Sequence, residues 1–131
     1  MRLIRIGAAI TAIVGMQGCG DYSVHLPDSY VLTRIYAGAV LINHPEKGIV
    51  VDANIDGYTV LGDHVVVGHV TAADLSPEKE HSKPGYFLLN TRTHDVKQGL
   101  DKKTWLESLQ KIGISNEPNL SKPSRFDRDY Q

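Results

Sequence analysis

The sequence predicts an α+β fold, an antiparallel β-meander of about five to seven strands packed against one C-terminal helix. Three observations lead there. Residues 30–70 are rich in Val, Ile and Tyr with glycines between the runs, the composition of half-buried strands and their turns. Residues 86–90, Tyr-Phe-Leu-Leu-Asn, form a further apolar run. Trp105, Leu106, Leu109 and Ile112 then recur at helical spacing, which makes an apolar stripe on one face of a helix.

The elements follow in order. Residues 30–36 read as the first strand and 38–43 as the second. His44-Pro45-Glu46-Lys47-Gly48 is the loop after it, because proline cannot donate to a ladder and glycine permits positive φ. The third strand opens at Ile49, and period two puts Ile49, Val51, Ala53 and Ile55 on one face. Two hairpin signals then compete: Asp56-Gly57 suits a type I′ turn and Gly62-Asp63 a type II′ turn. Using both would leave a strand of residues 58–61 only. Gly62-Asp63 is therefore the preferred turn, with Gly57 marking a bulge or bend. In that register Val60 faces Val65, Tyr58 faces Val67, and Asp56 lies opposite His69.

Residues 71–84 break the pattern. They are polar and charged, and Ser76-Pro77-Glu78 suits one brief helical turn. After the strand at 86–90 comes a turn at 91–95, and Val96 begins a partner strand. Asp101 caps the helix. Lys103, Glu107 and Lys111 stand four apart on its wet side, and Gly113 with Ile114 fits a Schellman stop. Trp105 lies on the apolar stripe, so it reads as core and not as a ligand platform. Residues 115–131 combine prolines, polar residues and mixed charge, and read as a disordered tail.

The first residues set the address. Arg2 and Arg5 form a short basic region, residues 6–16 are apolar and uncharged, and Met16-Gln17-Gly18-Cys19 follows. The apolar run is too short to span a bilayer. This leader resembles a bacterial lipoprotein signal with its lipobox. The resemblance implies removal of residues 1–18 and lipidation of Cys19. Cys19 is the sole cysteine, and a thioether there leaves no free thiol in an oxidising compartment. The organisation expected is thus a signal at 1–18, a lipid tether at 19–29, an α+β domain at 30–114 and the tail at 115–131. Gly20, in place of aspartate, directly follows the cysteine. By resemblance to lipoprotein sorting signals this favours the periplasmic face of the outer membrane over the inner membrane. The strand-turn-helix ending also resembles that of small uncharacterised bacterial lipoproteins, a likeness that bears on fold and carries no mechanism.

Charge narrows the partners. Once Arg2 and Arg5 leave with the signal, twelve basic residues face fifteen acidic ones, a net charge of −3. That argues against nucleic acid, which wants a basic face, and leaves the acyl chains as the membrane anchor. The histidines are His25, His44, His64, His69, His81 and His94. None falls in a zinc-ligand motif, and no nucleophile elbow or phosphate-cradling loop occurs, so no cofactor, metal or catalytic residue is expected. Asp56 with His69 is a candidate cross-strand pair or part of a base.

The reading favoured by these features is an envelope binding or accessory module without catalytic activity, holding a protein or envelope component. The loop at 71–84 is its candidate contact, through Asp74, Glu78, Lys79, Glu80, His81 and Lys83, because long polar loops carry function. One alternative is a small envelope enzyme or metal binder using His69 and His81. Another is a structural envelope lipoprotein.

Overall fold

The computed structural model describes residues 21–35, 38–71 and 83–130. Among them the chain forms eight strands and one α-helix. These are β1 (Tyr22–His25), β2 (Val31–Arg34), β3 (Val40–His44), β4 (Gly48–Val51), β5 (Ile55–Leu61), β6 (Val65–Val70), β7 (Gly85–Asn90), β8 (Val96–Leu100) and α1 (Lys102–Lys111). The fold is α+β and mostly strand. The strands divide into two antiparallel sheets, β1-β2-β3-β4 and β5-β6-β7-β8, and within each sheet consecutive strands pair.

The molecule is built in three layers. Between the sheets lies a core of Val24, Leu26, Tyr30, Leu32, Ile42 and Val51 from the first half, meeting Ile55, Tyr58, Val66, Val70, Phe87 and Leu89 from the second. On the outer face of the second sheet, Val67 and Leu88 pack against Trp105 and Leu109 of α1. The second sheet is therefore covered on both faces. That is why Val65-Val66-Val67 and Phe87-Leu88-Leu89 are continuous apolar runs and not alternating ones. Trp105 is fully buried, and its indole N–H donates to the Phe87 carbonyl at 3.0 Å. The helix ends are as the sequence implies. The Asp101 carboxylate accepts from the Thr104 N–H at 2.8 Å, and this bond holds its pKa below the usual carboxylate value. Gly113 N–H reaches Gln110 O, and Ile114 N–H reaches Leu109 O, the two bonds of a Schellman stop.

Several expectations are corrected. The tether of residues 19–29 contains β1 and a short 3-10 turn, Pro27–Ser29. Tyr22, Val24 and Leu26 alternate toward the inter-sheet core, and Val24 and Leu26 are fully buried. The tail at 115–131 is an ordered strap over its described part. Ser121 bridges Tyr58 through two backbone bonds of 3.0 Å, and the Tyr130 N–H donates to His25 O at 2.6 Å. The Tyr58 hydroxyl donates to Asp127 at 2.6 Å, and burial followed by this bond raises its pKa. Polar composition suggested disorder, but exposed backbone at the edges of β5 and β1 supplies partners that composition does not reveal.

The β5–β6 hairpin turns at Gly62 as expected, but through three residues, so Val60 pairs with Val66 and Tyr58 with Gly68. The one-residue slip moves Val65 and Val67 to the opposite face from Tyr58 and Val60; they join the helix-side cluster. In the first sheet β4 ends at Val51, so Ala53 and Ile55 do not continue its face, and Ile49 is exposed. On α1, Ile112 also lies half in solvent, outside the buried stripe.

Candidate functional site

The non-glycine residues with positive φ among the described residues are Asp28 (58°), Ser29 (72°) and His94 (70°). All lie at one end of the sandwich, where β1 leaves for β2, β5 turns into β6 and β7 turns into β8. Backbone held in this region is costly and clusters at functional positions.

Asp28 is the hub. Its Oδ2 accepts from the Thr91 hydroxyl at 2.6 Å and pairs with His64 Nδ1 at 2.9 Å. These two bonds, Thr91 first, hold the Asp28 pKa below the usual carboxylate value. An ionised carboxylate at Nδ1 calls for the Nδ1–H tautomer of His64. Nε2 then presents its lone pair, which the Arg92 guanidinium meets. Both ring nitrogens are thereby engaged. Thr91 is fully buried, and its N–H donates to His64 O at 2.7 Å, fixing the β7–β8 turn to the β5–β6 turn. Asn90 Oδ1 accepts the Arg92 and Thr93 N–H groups, each at 3.0 Å.

Beside this network sits an aromatic cluster. The Tyr30 hydroxyl lies 2.7 Å from His94 Nδ1. The Tyr30 ring is 4.7 Å from that of His44, and His44 is 5.7 Å from His94. Burial of Tyr30 raises its hydroxyl pKa, with the Asp28 charge adding to this. His44 Nδ1 accepts the Glu46 N–H at 3.1 Å, which fixes that ring.

An open cleft of about 670 Å³ adjoins Asp28. Its walls are the 3-10 turn, the Gly62-Asp63 tip and Arg128, Asp129 and Tyr130 of the strap. Asp28, Asp63 and Asp129 outnumber Arg128, so the cleft suits a polar ligand carrying positive charge. Arg128 stacks over Tyr130, 5.2 Å from the ring centre, and Asp129 accepts the His25 N–H at 2.8 Å.

Of the residues singled out in sequence, His44, His64 and His94 meet at this end, while His25 pairs with Asp129 at its rim. His69 lies elsewhere, on β6, where its Nδ1 is 2.8 Å from Asp56. That pair was expected from a register one residue off; the bulge between Ile55 and Gly57 restores it. Asp74, Glu78, Lys79, Glu80 and His81, like Cys19, lie outside the described residues, and Lys83 is exposed just before β7. Among the described residues no three of His, Cys, Asp and Glu converge as a metal site. Sequence reasoning missed Asp28, Ser29, Tyr30, Thr91 and Arg92. The legible signal was the alternation of Tyr22, Val24 and Leu26 running into Pro27-Asp28-Ser29, a strand followed by turn formers.

Compared with protein-family models, curated proteins and solved structures, the chain matches none.

Proposed function

We propose that this is a lipid-anchored envelope protein, tethered through Cys19 and acting by binding, with the Asp28 end of the sandwich as its contact site. The observation that carries the binding reading is the cleft beside a rigid and fully engaged polar network. Asp28, His64, Arg92 and Thr91 satisfy one another, so His64 has no free lone pair with which to take a substrate proton. A prepositioned polar wall beside an open cleft suits recognition of a polar, cation-bearing group on a peptide or envelope component. The anchoring reading rests on the leader ending at Gly18-Cys19. The Gly20 signal favours the outer membrane's periplasmic face.

Two experiments test it. Fractionation should find wild type in the membrane and Cys19→Ser released; equal retention without acyl mass on wild type would end the anchoring reading. Cross-linking in the native envelope should capture a partner that the Asp63→Ala variant holds weakly at unchanged stability. Replacing residues 78–83 with a Gly/Ser linker asks whether the loop shares in that contact.

A second reading has its own observation. Asp56 against His69 is the geometry of an oriented base, with the Tyr86 ring 4.7 Å from the imidazole. Under that enzyme reading, His69→Ala would abolish a turnover that the cleft variant leaves intact.

A further inference from the structure

The strap carries one side chain that packing does not explain. Phe126 is 88% exposed, although the segment around it is tightly fixed. Residues 124–127 form a β-turn closed by the Asp127 N–H to Ser124 O at 3.1 Å. The Ser124 hydroxyl oxygen accepts the Phe126 N–H at 3.1 Å. Asp127 Oδ2 accepts the Ser124 N–H at 3.1 Å and the Tyr58 hydroxyl at 2.6 Å. Arg125 and Phe126 are the two corner residues, held outward by a turn whose carboxylate points inward. A rigid turn that displays an arginine and a bare phenyl ring has the chemistry of an interfacial contact, apolar tip beside cation.

Position says which surface it meets. The strap runs alongside β1. Tyr130 is bonded to His25 at one end of that strand, and three residues back along both segments Asp127 comes beside Tyr22. Tyr22 and Tyr130 pack against the same inter-sheet cluster, and Asp127 holds the hydroxyl of Tyr58 in that cluster. Tyr22 stands three residues after Cys19, so the lipidated residue lies within about 11 Å of it along the chain. The turn is therefore at the anchored end of the sandwich, with the Asp28 site at the other. Arg128 belongs to the cleft wall, so the exposed cations left on the strap near Phe126 are Arg125 and Lys122, on a mature chain whose net charge is −3. Asp129 is occupied by His25.

We infer that the Arg125-Phe126 turn is a second membrane contact, inserting its phenyl ring among the headgroups of an anionic bilayer and setting the domain upright on its acyl anchor. This rests on the reading of Cys19 as the lipid site. The orientation it imposes turns the Asp28 cleft away from the bilayer, toward whatever crosses the periplasm.

The test uses the full lipidated chain. Because lipidation consumes the Cys19 sulfur, Phe126→Cys and Thr93→Cys each offer one thiol for an environment-sensitive fluorophore, the second at the exposed far end. Labelled proteins are reconstituted into phosphatidylethanolamine vesicles with phosphatidylglycerol. The expected result is a blue-shifted label at 126, quenched by brominated lipid, and an unshifted, unquenched label at 93. Arg125→Glu in the 126-labelled protein should reduce both effects, as should replacing the anionic lipid with phosphatidylcholine. If the protein carries acyl chains and floats with vesicles but position 126 matches position 93, the turn does not touch the membrane and this inference is overturned. Chain-to-chain cross-linking through a thiol at 126 that excludes lipid quenching would overturn it too, in favour of a second copy. Absence of acyl mass would instead overturn the anchoring reading, and this inference with it.

Discussion

Where β5–β8 meet the inter-sheet core on one face and α1 on the other, β1–β4 meet that core on one face only. The second sheet is held by apolar area: Val66, Val67, Phe87 and Leu89 are fully buried, as is Trp105 above them. Polar clasps tie the margins together: Asp28 to His64 and Thr91 in the turns of the second sheet, Asp129 of the strap to His25 of β1, and Asp127 of the strap to Tyr58 of β5. Apolar burial is non-directional and makes the second sheet stable without fixing any one group in place. Hydrogen bonds contribute less net stability but fix direction, and they hold the candidate site and the strap. Apolar burial and directional polar contacts thus concentrate in different places, and mutations should separate them.

The largest effects belong to the second sheet. Trp105→Ala removes a buried aromatic and its bond to Phe87, and should destabilise by about 3–5 kcal/mol, read as a shift in urea midpoint. A variant as stable as wild type would show that α1 does not hold this half. Gly68→Ala comes next. A Cβ there would stand 2.6 Å from the Phe87 ring and closer still to the Gly57 carbonyl, neither of which can retreat without moving a neighbouring strand. Overpacking of this kind costs about 1–3 kcal/mol. Unchanged thermal unfolding of that variant would mean β5 and β6 are less tightly joined than the structure requires.

What was legible in the sequence divides along the same line. Strand β7, the turn after it and α1 with its Asp101 cap and Gly113 stop were all readable, because local signals and core patterning agree there. The Gly62 turn was readable too, while its third residue was not, and that one-residue difference reassigned Val65 and Val67. β1 was hidden because three alternating residues before a proline look like a polar linker; only the edge of β2 makes them a strand. The strap was hidden for a similar reason. Its anchors, Leu120 on Gly57, Ser121 on Tyr58 and Tyr130 on His25, each join residues far apart in the chain. The Asp28 site was least legible of all, since Asp28, His64 and Thr91 come from three turns that the sheet topology alone brings together.

The clasps should give intermediate effects. Tyr58→Phe keeps the ring in the core and deletes the hydroxyl bonded to Asp127, leaving that carboxylate with the Ser124 N–H. The expected loss is about 1–2 kcal/mol, concentrated in the strap. Trypsin should then cut after Arg125 and Arg128 faster than in wild type while α1 stays protected. Equal cleavage rates would show that the strap is held by its apolar contacts and not by this clasp.

The smallest effect is the most specific to the candidate site. The Thr91 and His64 bonds hold the Asp28 pKa below its unfolded value, so the folded state favours the carboxylate. The resulting stability is fully present above about pH 5, declines as pH falls through the ordinary carboxylate range, and is gone below the lowered folded value. Asp28 is 36% exposed, so solvent screening limits its contribution to about 1 kcal/mol or less. Asp28→Asn is the comparison that isolates it, because every other carboxylate titrates in both proteins. At pH 7 the variant should be the weaker of the two in urea; by pH 3 the gap should narrow as wild type begins to take up the proton. A gap that stayed constant between the two pH values would mean that the Asp28 charge contributes nothing, and that its left-handed backbone is held by packing of the turn alone.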